Sequence, residues 1–192
     1  MTRAYLEPPE IRKLEEAAGY LRDRLLIRVL FHLGCRISEA LGITLGDIDF
    51  NQGAVTIQHL KTRVKLSCPN CGAGLSKTAR YCPGCGTEIS EAQKLEKEQQ
   101  RFRTLPVDEA TLNILREYVK RGGPVSRNGK KVLFGINRHR AWQVVRDCAQ
   151  RAGLPQLVNP ETGKVHNVSP HKLRDAFAVM AVLISCLGLL GL

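Results

Sequence analysis

Arg22–Phe50 reads RDRLLIRVLFHLGCRISEALGITLGDIDF, and its pattern decides how the chain begins to fold. Leu26, Val29, Leu30 and Leu33 recur at i, i+3, i+4 and i+7, which predicts a helix with an apolar stripe. Gly34 closes that helix, Ser38 is placed to cap a second, shorter one, and Gly42 lies near its end. Between them Arg36 and Glu39 stand three residues apart, the spacing of an ion pair on one helical face. Taken alone, such a pair is an ordinary surface feature.

Upstream, Pro8, Pro9 and Glu10 predict a helix start, with Ile11 and Leu14 facing inward. Downstream, the polar turn Asn51-Gln52-Gly53 leads into a strand over 54–58, with Val55 and Ile57 on one face. A second strand is expected over 102–107, where Phe102 and Leu105 are apolar and Pro106 marks a strand end. About forty residues separate the two strands, too many for a hairpin loop, so something folded must occupy them. Asp108 is placed to cap a helix carrying Leu112, Leu115 and Val119, which Gly122-Gly123-Pro124 terminates. Another helix is expected after Asn137, with Trp142, Val145 and Ala149 on its buried face. Ser169 and Pro170 supply a cap and first position for a last helix, on which His171 and Arg174 share one face. The fold class is α+β, mostly helical with a small antiparallel sheet.

Within the long intervening segment, Cys68-Pro69-Asn70-Cys71-Gly72 and Cys82-Pro83-Gly84-Cys85-Gly86 form two Cys-x-x-Cys knuckles ten residues apart. Four thiolates so spaced are the arrangement of a tetrahedral structural zinc (Zn2+) site, with Cys68, Cys71, Cys82 and Cys85 as ligands. Two disulfides or a redox pair are the competing readings. A cytoplasmic location argues against disulfides. Cys35, Cys148 and Cys186 read as small packed residues.

Charge points to a polyanionic partner. Lys and Arg number 29 against 18 Asp and Glu, a net charge of +11, and the sequence pI is about 9.6. Residues 61–87 carry Lys61, Arg63, Lys65, Lys77 and Arg80 without an acid, and residues 118–146 carry eight Lys or Arg without one. Such clustering is the footprint of phosphate-backbone contacts, so double-stranded DNA is the expected partner. Met1 to Glu10 lacks the apolar stretch of a signal peptide, which gives the cytoplasmic expectation. The uncharged run from Ala176 to Leu192 is seventeen residues long, short of the roughly 20 that span a bilayer, so no membrane association is expected.

Two of these stretches together resemble a known family. Arg22–Phe50, with its helix, Gly-x-Arg-x-x-Glu and Leu-rich turn ending in Asp-x-Asp, looks like the first signature box of the tyrosine recombinase (phage integrase) family. Val168–Ala178, VSPHKLRDAFA, resembles the second box, His-x-Leu-Arg followed by a Phe-Ala pair. The resemblance implies a tyrosine-recombinase catalytic domain over 6–182 with an inserted zinc ribbon over 66–90. It implies DNA integration or site-specific recombination, with Arg36 and Arg174 clamping the scissile phosphate and Glu39 beside Arg36. Fixed guanidinium forks suit the charge that develops on phosphate oxygens. His171 is implied to assist proton movement and Lys61 to protonate the leaving 5′ hydroxyl, with Lys65 as the fallback. The zinc ribbon reads either as a DNA-contacting element using Lys77 and Arg80 or as a clip that stabilises a long loop.

The chain departs from the family pattern in four ways. Asp175 stands where many members have histidine. The Leu-Gly-His segment and the nucleophilic tyrosine expected after the second box are absent, and Tyr5, Tyr20, Tyr81 and Tyr118 all precede that box. The helical domain that usually precedes the catalytic domain is absent too. Residues 183–192 form an atypical apolar tail, read as the mark of a truncated or out-of-frame end. Without the tyrosine, clamping alone does not cleave DNA, so the chain is expected to be inactive by itself and to have an intact recombinase protomer as a further partner. The alternative is a noncatalytic DNA-binding protein that modulates an intact recombinase. A zinc-ribbon adaptor on an unrelated helical scaffold is a third reading, and it leaves both arginine stretches unused.

Overall fold

The computed structural model describes residues 4–59, 65–76, 78–89, 95–97 and 101–189. In chain order, helices α1 (Pro8–Glu16), α2 (Leu21–His32) and α3 (Ile37–Gly42) precede a 3-10 turn at Leu45–Asp47 and strands β1 (Ile48–Asp49) and β2 (Ala54–His59). Short strands β3 (Lys65–Ser67), β4 (Gly74–Leu75) and β5 (Leu95–Lys97) come next, then β6 (Arg101–Pro106) and α4 (Glu109–Lys120). The hairpin β7 (Val125–Arg127) and β8 (Lys130–Val132), helix α5 (Arg138–Arg151), strands β9 (Leu157–Val158) and β10 (Val165–His166), and helix α6 (Pro170–Leu189) complete it. The chain divides into two compact units, Met1–Ile57 with Arg103–Leu192, and Gln58–Phe102.

The larger unit is built around α2. Leu25, Leu26, Ile27, Val29 and Leu30 are all buried, so the helix is apolar over more than one stripe and takes neighbours on several sides. It packs against α1, α3, α4, α5 and α6. Arg28 is a partly buried charged residue on this helix. Its Nη1 meets Glu15 of α1 at 2.8 Å, its Nη2 meets Asp108 at 3.1 Å, and its Nε donates to Thr111 Oγ1 at 2.9 Å. One guanidinium therefore ties three helices, and it neutralises the Glu15 carboxylate, whose side chain is only 5% exposed.

Gly34 ends α2 as expected. It lies at φ +53°, in the left-handed region, and a Cβ there would come within 2.2 Å of the Phe177 ring of α6. Only a residue without a side chain makes this turn and admits the ring. Leu173 and Ala176 of α6 are buried beside it. The stretch that begins with Gly34 is thus set against the stretch that contains Arg174.

The small sheet has the order β1-β2-β6, with Ile48 opposite Val55 and Asp49 opposite Ala54 in an antiparallel pair. Val55 and Ile57 face the core, while Thr56 points the other way and its hydroxyl meets that of Thr104 on β6 at 3.0 Å. Asp108 caps α4 by accepting from Thr111 N at 3.0 Å, and Asn137 caps α5 by accepting from Arg140 N at 2.8 Å.

Two sequence expectations are corrected. Ser38 does not cap α3, because the helix starts at Ile37 and the Glu39 carboxylate accepts from the Arg36 amide at 2.9 Å. Trp142 is 38% exposed, since the buried phase of α5 is set by Ala141, Val144, Val145, Cys148 and Ala149. The indole instead lies under the Arg146 guanidinium, 5.2 Å from its centroid. On β6, Phe102 is exposed. Among the described residues, no helix is long and apolar enough to cross a membrane.

Three substitutions test this packing in urea unfolding followed by helical circular dichroism. Arg28→Leu leaves Glu15 buried without its partner and lowers stability by about 3 kcal/mol, whereas Arg121→Leu, at an exposed pair with Glu117, changes it by less than about 1 kcal/mol. Gly34→Ala combines a left-handed backbone penalty with a clash at Phe177 and costs about 2 to 4 kcal/mol.

Candidate functional site

Arg36 stands at the start of α3, where the chain leaves the Gly34 turn. Its Nη1 donates to Glu39 Oε1 at 2.9 Å, and its amide donates to Oε2. Oε2 also accepts from Nη2 of Arg103 on β6, at 3.1 Å. The Glu39 side chain is 2% exposed, against 38% for Arg36 and 42% for Arg103. A buried carboxylate thus anchors two guanidinium groups that reach solvent.

Cys35 lies at the hub of this arrangement. It is fully buried, and its Sγ approaches the Val29 carbonyl at 3.6 Å. Burial, reinforced by the negative charge of Glu39, pushes the thiol up to about 12, while Arg103 and Arg174 pull the other way. The charges of β6 and α6 therefore act on the same buried atom as Glu39 of α3. Arg103 and Arg174, from β6 and α6, thus act on the residue that precedes Arg36 in the chain, and the Gly34–Phe177 contact sets the end of α2 against α6.

His171 is 77% exposed at the start of α6, with Nε2 3.8 Å from Asp175 Oδ1. Lys172 Nζ lies 3.2 Å from Asp175 Oδ2, so the carboxylate sits between two basic side chains. Lys61 and Lys77 lie outside the described residues; Lys65 opens β3. Tyr118 is buried, and its hydroxyl donates to the Gly123 carbonyl at 2.9 Å. Tyr20 and Tyr81 are exposed, the latter paired with Glu88 in the smaller unit.

A basic surface continues from α3. Leu133 N donates to Ile43 O at 2.8 Å and Thr44 bridges to Val132, which seats the β7–β8 hairpin at the end of α3. That helix is six residues long, about 9 Å. Arg127, Lys130 and Lys131 on the hairpin and Arg138 and Arg140 at the start of α5 are all exposed.

In the smaller unit the four knuckle cysteines come together. The two knuckles repeat the same backbone bonds: Gly72 N to Cys68 O and Cys68 N to Ala73 O in one, Gly86 N to Cys82 O and Cys82 N to Thr87 O in the other, each at 2.9 Å. Gly72 and Gly86 take the left-handed conformation these turns need, at φ +72° and +71°. The Sγ atoms of Cys68 and Cys85 are 3.7 Å apart and those of Cys71 and Cys82 3.4 Å, and all four lie within 4.8 Å of one another. Sulfurs bound tetrahedrally at about 2.3 Å from zinc are separated by about 3.8 Å, so this donor set fits a metal ion. The hydroxyl and amide of Thr87 pull the Cys85 thiol down to about 6, and Gly84 N lies 3.3 Å from Cys82 Sγ. Both contacts favour thiolates, the form that holds a metal.

Residues 4–81 match the Phage integrase family. The chain is 28% identical over 187 residues to the tyrosine recombinase XerD of Mycobacterium tuberculosis, an alignment covering 88% of this chain and 45% of that protein. It is 24% identical over 170 residues to the XerD of Neisseria meningitidis serogroup B, covering 84% of this chain and 42% of that protein. The chain thus spans about half the length of the curated relatives it matches. Among solved structures, the XerA recombinase superposes with a TM-score of 0.58 at 18% identity, over 95% of this chain and 52% of that one. The XerH site-specific recombinase, bound to its difH substrate in a pre-cleavage complex, gives 0.54 at 19% identity, over 95% of this chain and 43% of that one. The protein is similar in sequence to tyrosine recombinases, and its fold is that of their catalytic domains.

Proposed function

We propose that the chain binds double-stranded DNA and holds a backbone phosphate between Arg36 and Arg174, as part of site-specific recombination. The observation that supports this reading is the Gly34–Phe177 contact, which sets the turn two residues before Arg36 against the helix that carries Arg174 three residues before Phe177. A phosphodiester entering there meets the Arg36 fork already held by Glu39. Guanidinium donors suit the non-bridging oxygens, where charge builds as the phosphorus is attacked. His171, at the exposed start of α6, is the group that moves a proton at the attacking or departing oxygen, and Lys61 is assigned to the leaving 5′ oxygen. The hairpin and α5 arginines and lysines hold the flanking backbone.

The covalent step needs a tyrosine hydroxyl in line with the phosphorus. Tyr118 is committed to the Gly123 carbonyl, and Tyr5, Tyr20 and Tyr81 do not follow the second box as a family nucleophile does. The role proposed for these residues is therefore to clamp DNA, alone or beside an intact recombinase protomer, without supplying the nucleophile. Zinc is the metal assigned to Cys68, Cys71, Cys82 and Cys85. It stabilises the Gln58–Phe102 unit and supplies no chemistry to the phosphate site, since four protein ligands leave no open position. The exposed Arg80 is a candidate phosphate contact from that unit.

Fluorescence anisotropy with a labelled duplex tests the phosphate site. Arg36→Gln and Arg174→Gln each weaken binding about tenfold and lower the salt slope by about 1. A nicked suicide substrate resolved on denaturing gels shows no covalent adduct, and formation of one would overturn the assignment of a noncatalytic clamp.

Elemental analysis of the purified protein gives one zinc per chain, and Cys82→Ser abolishes it. Helical circular dichroism of that variant stays at the wild-type level, because the helices belong to the other unit. A fall in helix content would show the metal supporting the whole chain.

A further inference from the structure

The Glu39 carboxylate binds more than Arg36 requires. With Arg36 as its only cationic partner, a buried carboxylate would draw that guanidinium inward and compete with a phosphate for it. Instead Arg103 Nη2 shares Oε2 with the Arg36 amide, while Arg36 Nη1 meets Oε1. Two guanidinium groups from separate elements thus share the Glu39 carboxylate. Arg103 is 42% exposed and lies one residue from Thr104, whose hydroxyl bond to Thr56 fixes β6 against β2. Its position on the strand is therefore determined independently of Arg36. Nothing in the local sequence marks it, since 64 positions separate Arg103 from Glu39.

We propose that Arg103 is a positioning residue of the phosphate site: by sharing the Glu39 carboxylate it helps orient the Arg36 fork for a DNA phosphate. The proposal rests on the reading of Arg36 and Arg174 as the phosphate clamp. Arg103 acts through Arg36 and not through Arg174, and this separates it from a residue that merely stabilises β6. Loss of sheet stability would weaken both arginines alike.

The test is a double-mutant cycle in duplex affinity by anisotropy, with unfolding midpoints recorded for every variant. Arg103→Gln weakens binding about fivefold. Combined with Arg36→Gln it adds little further loss, whereas combined with Arg174→Gln the two effects multiply. Arg103→Lys, which keeps a cation beside Glu39 without the planar fork, recovers part of the affinity. It also carries the test should Arg103→Gln fail to fold, showing a smaller loss that again vanishes on the Arg36→Gln background. The proposal is overturned if Arg103→Gln binds as wild type does, or if its effect multiplies with that of Arg36→Gln. If Arg36→Gln and Arg174→Gln themselves leave affinity and salt slope unchanged, the clamp reading fails, and the role of Arg103 with it.

Discussion

Phe177 lying where a side chain of residue 34 would be is the contact on which the larger unit depends. A glycine in the left-handed conformation both ends α2 and leaves room for the ring. Because Arg36 follows that turn by two residues and Arg174 precedes Phe177 by three, the contact fixes the neighbourhood of the two guanidinium groups. Electrostatics alone would hold like charges apart, so packing must bring them together. The core around α2 provides that packing, with Arg28 satisfying the Glu15 carboxylate that the arrangement buries.

The site is organised through a negative charge as much as through positive ones. Glu39 is nearly inaccessible and accepts from the Arg36 amide, the Arg36 guanidinium and the Arg103 guanidinium. Such a carboxylate costs desolvation energy, offset by three donors, and in return it orders side chains that would otherwise sample many rotamers. An anion arriving at the site then meets groups already in place. The same logic operates in the smaller unit, where amide and hydroxyl donors around Cys82 and Cys85 favour thiolates in a cluster sized for one metal ion.

The two units also differ in how they gain stability. The larger buries a continuous apolar core drawn from every one of its helices. Among the described residues of the smaller, the buried cluster is Cys68, Cys82 and Ile89, with Ala73 and Leu75 against them. So small a core is the usual circumstance in which a metal contributes the folding energy.

Much of this was legible in the sequence. The periodicity of Leu26, Val29, Leu30 and Leu33, the caps at Asp108 and Asn137, and the paired Cys-x-x-Cys knuckles are local patterns, and local backbone geometry is what such patterns encode. The pairing of Glu39 with Arg36 was legible for the same reason, being one helical turn apart. What the tertiary structure decided is long-range. Arg103 reaches Glu39 because β6 returns to pair with β2 after the Gln58–Phe102 unit; the strand itself was legible, but not that its arginine meets a carboxylate 64 positions away. Trp142 faces outward because the phase of α5 is set by what packs against Ala141 and Val144, which an apolar residue's identity does not reveal. Periodicity tells a residue which neighbours it has along the chain; only the packed fold tells it which charges it must share.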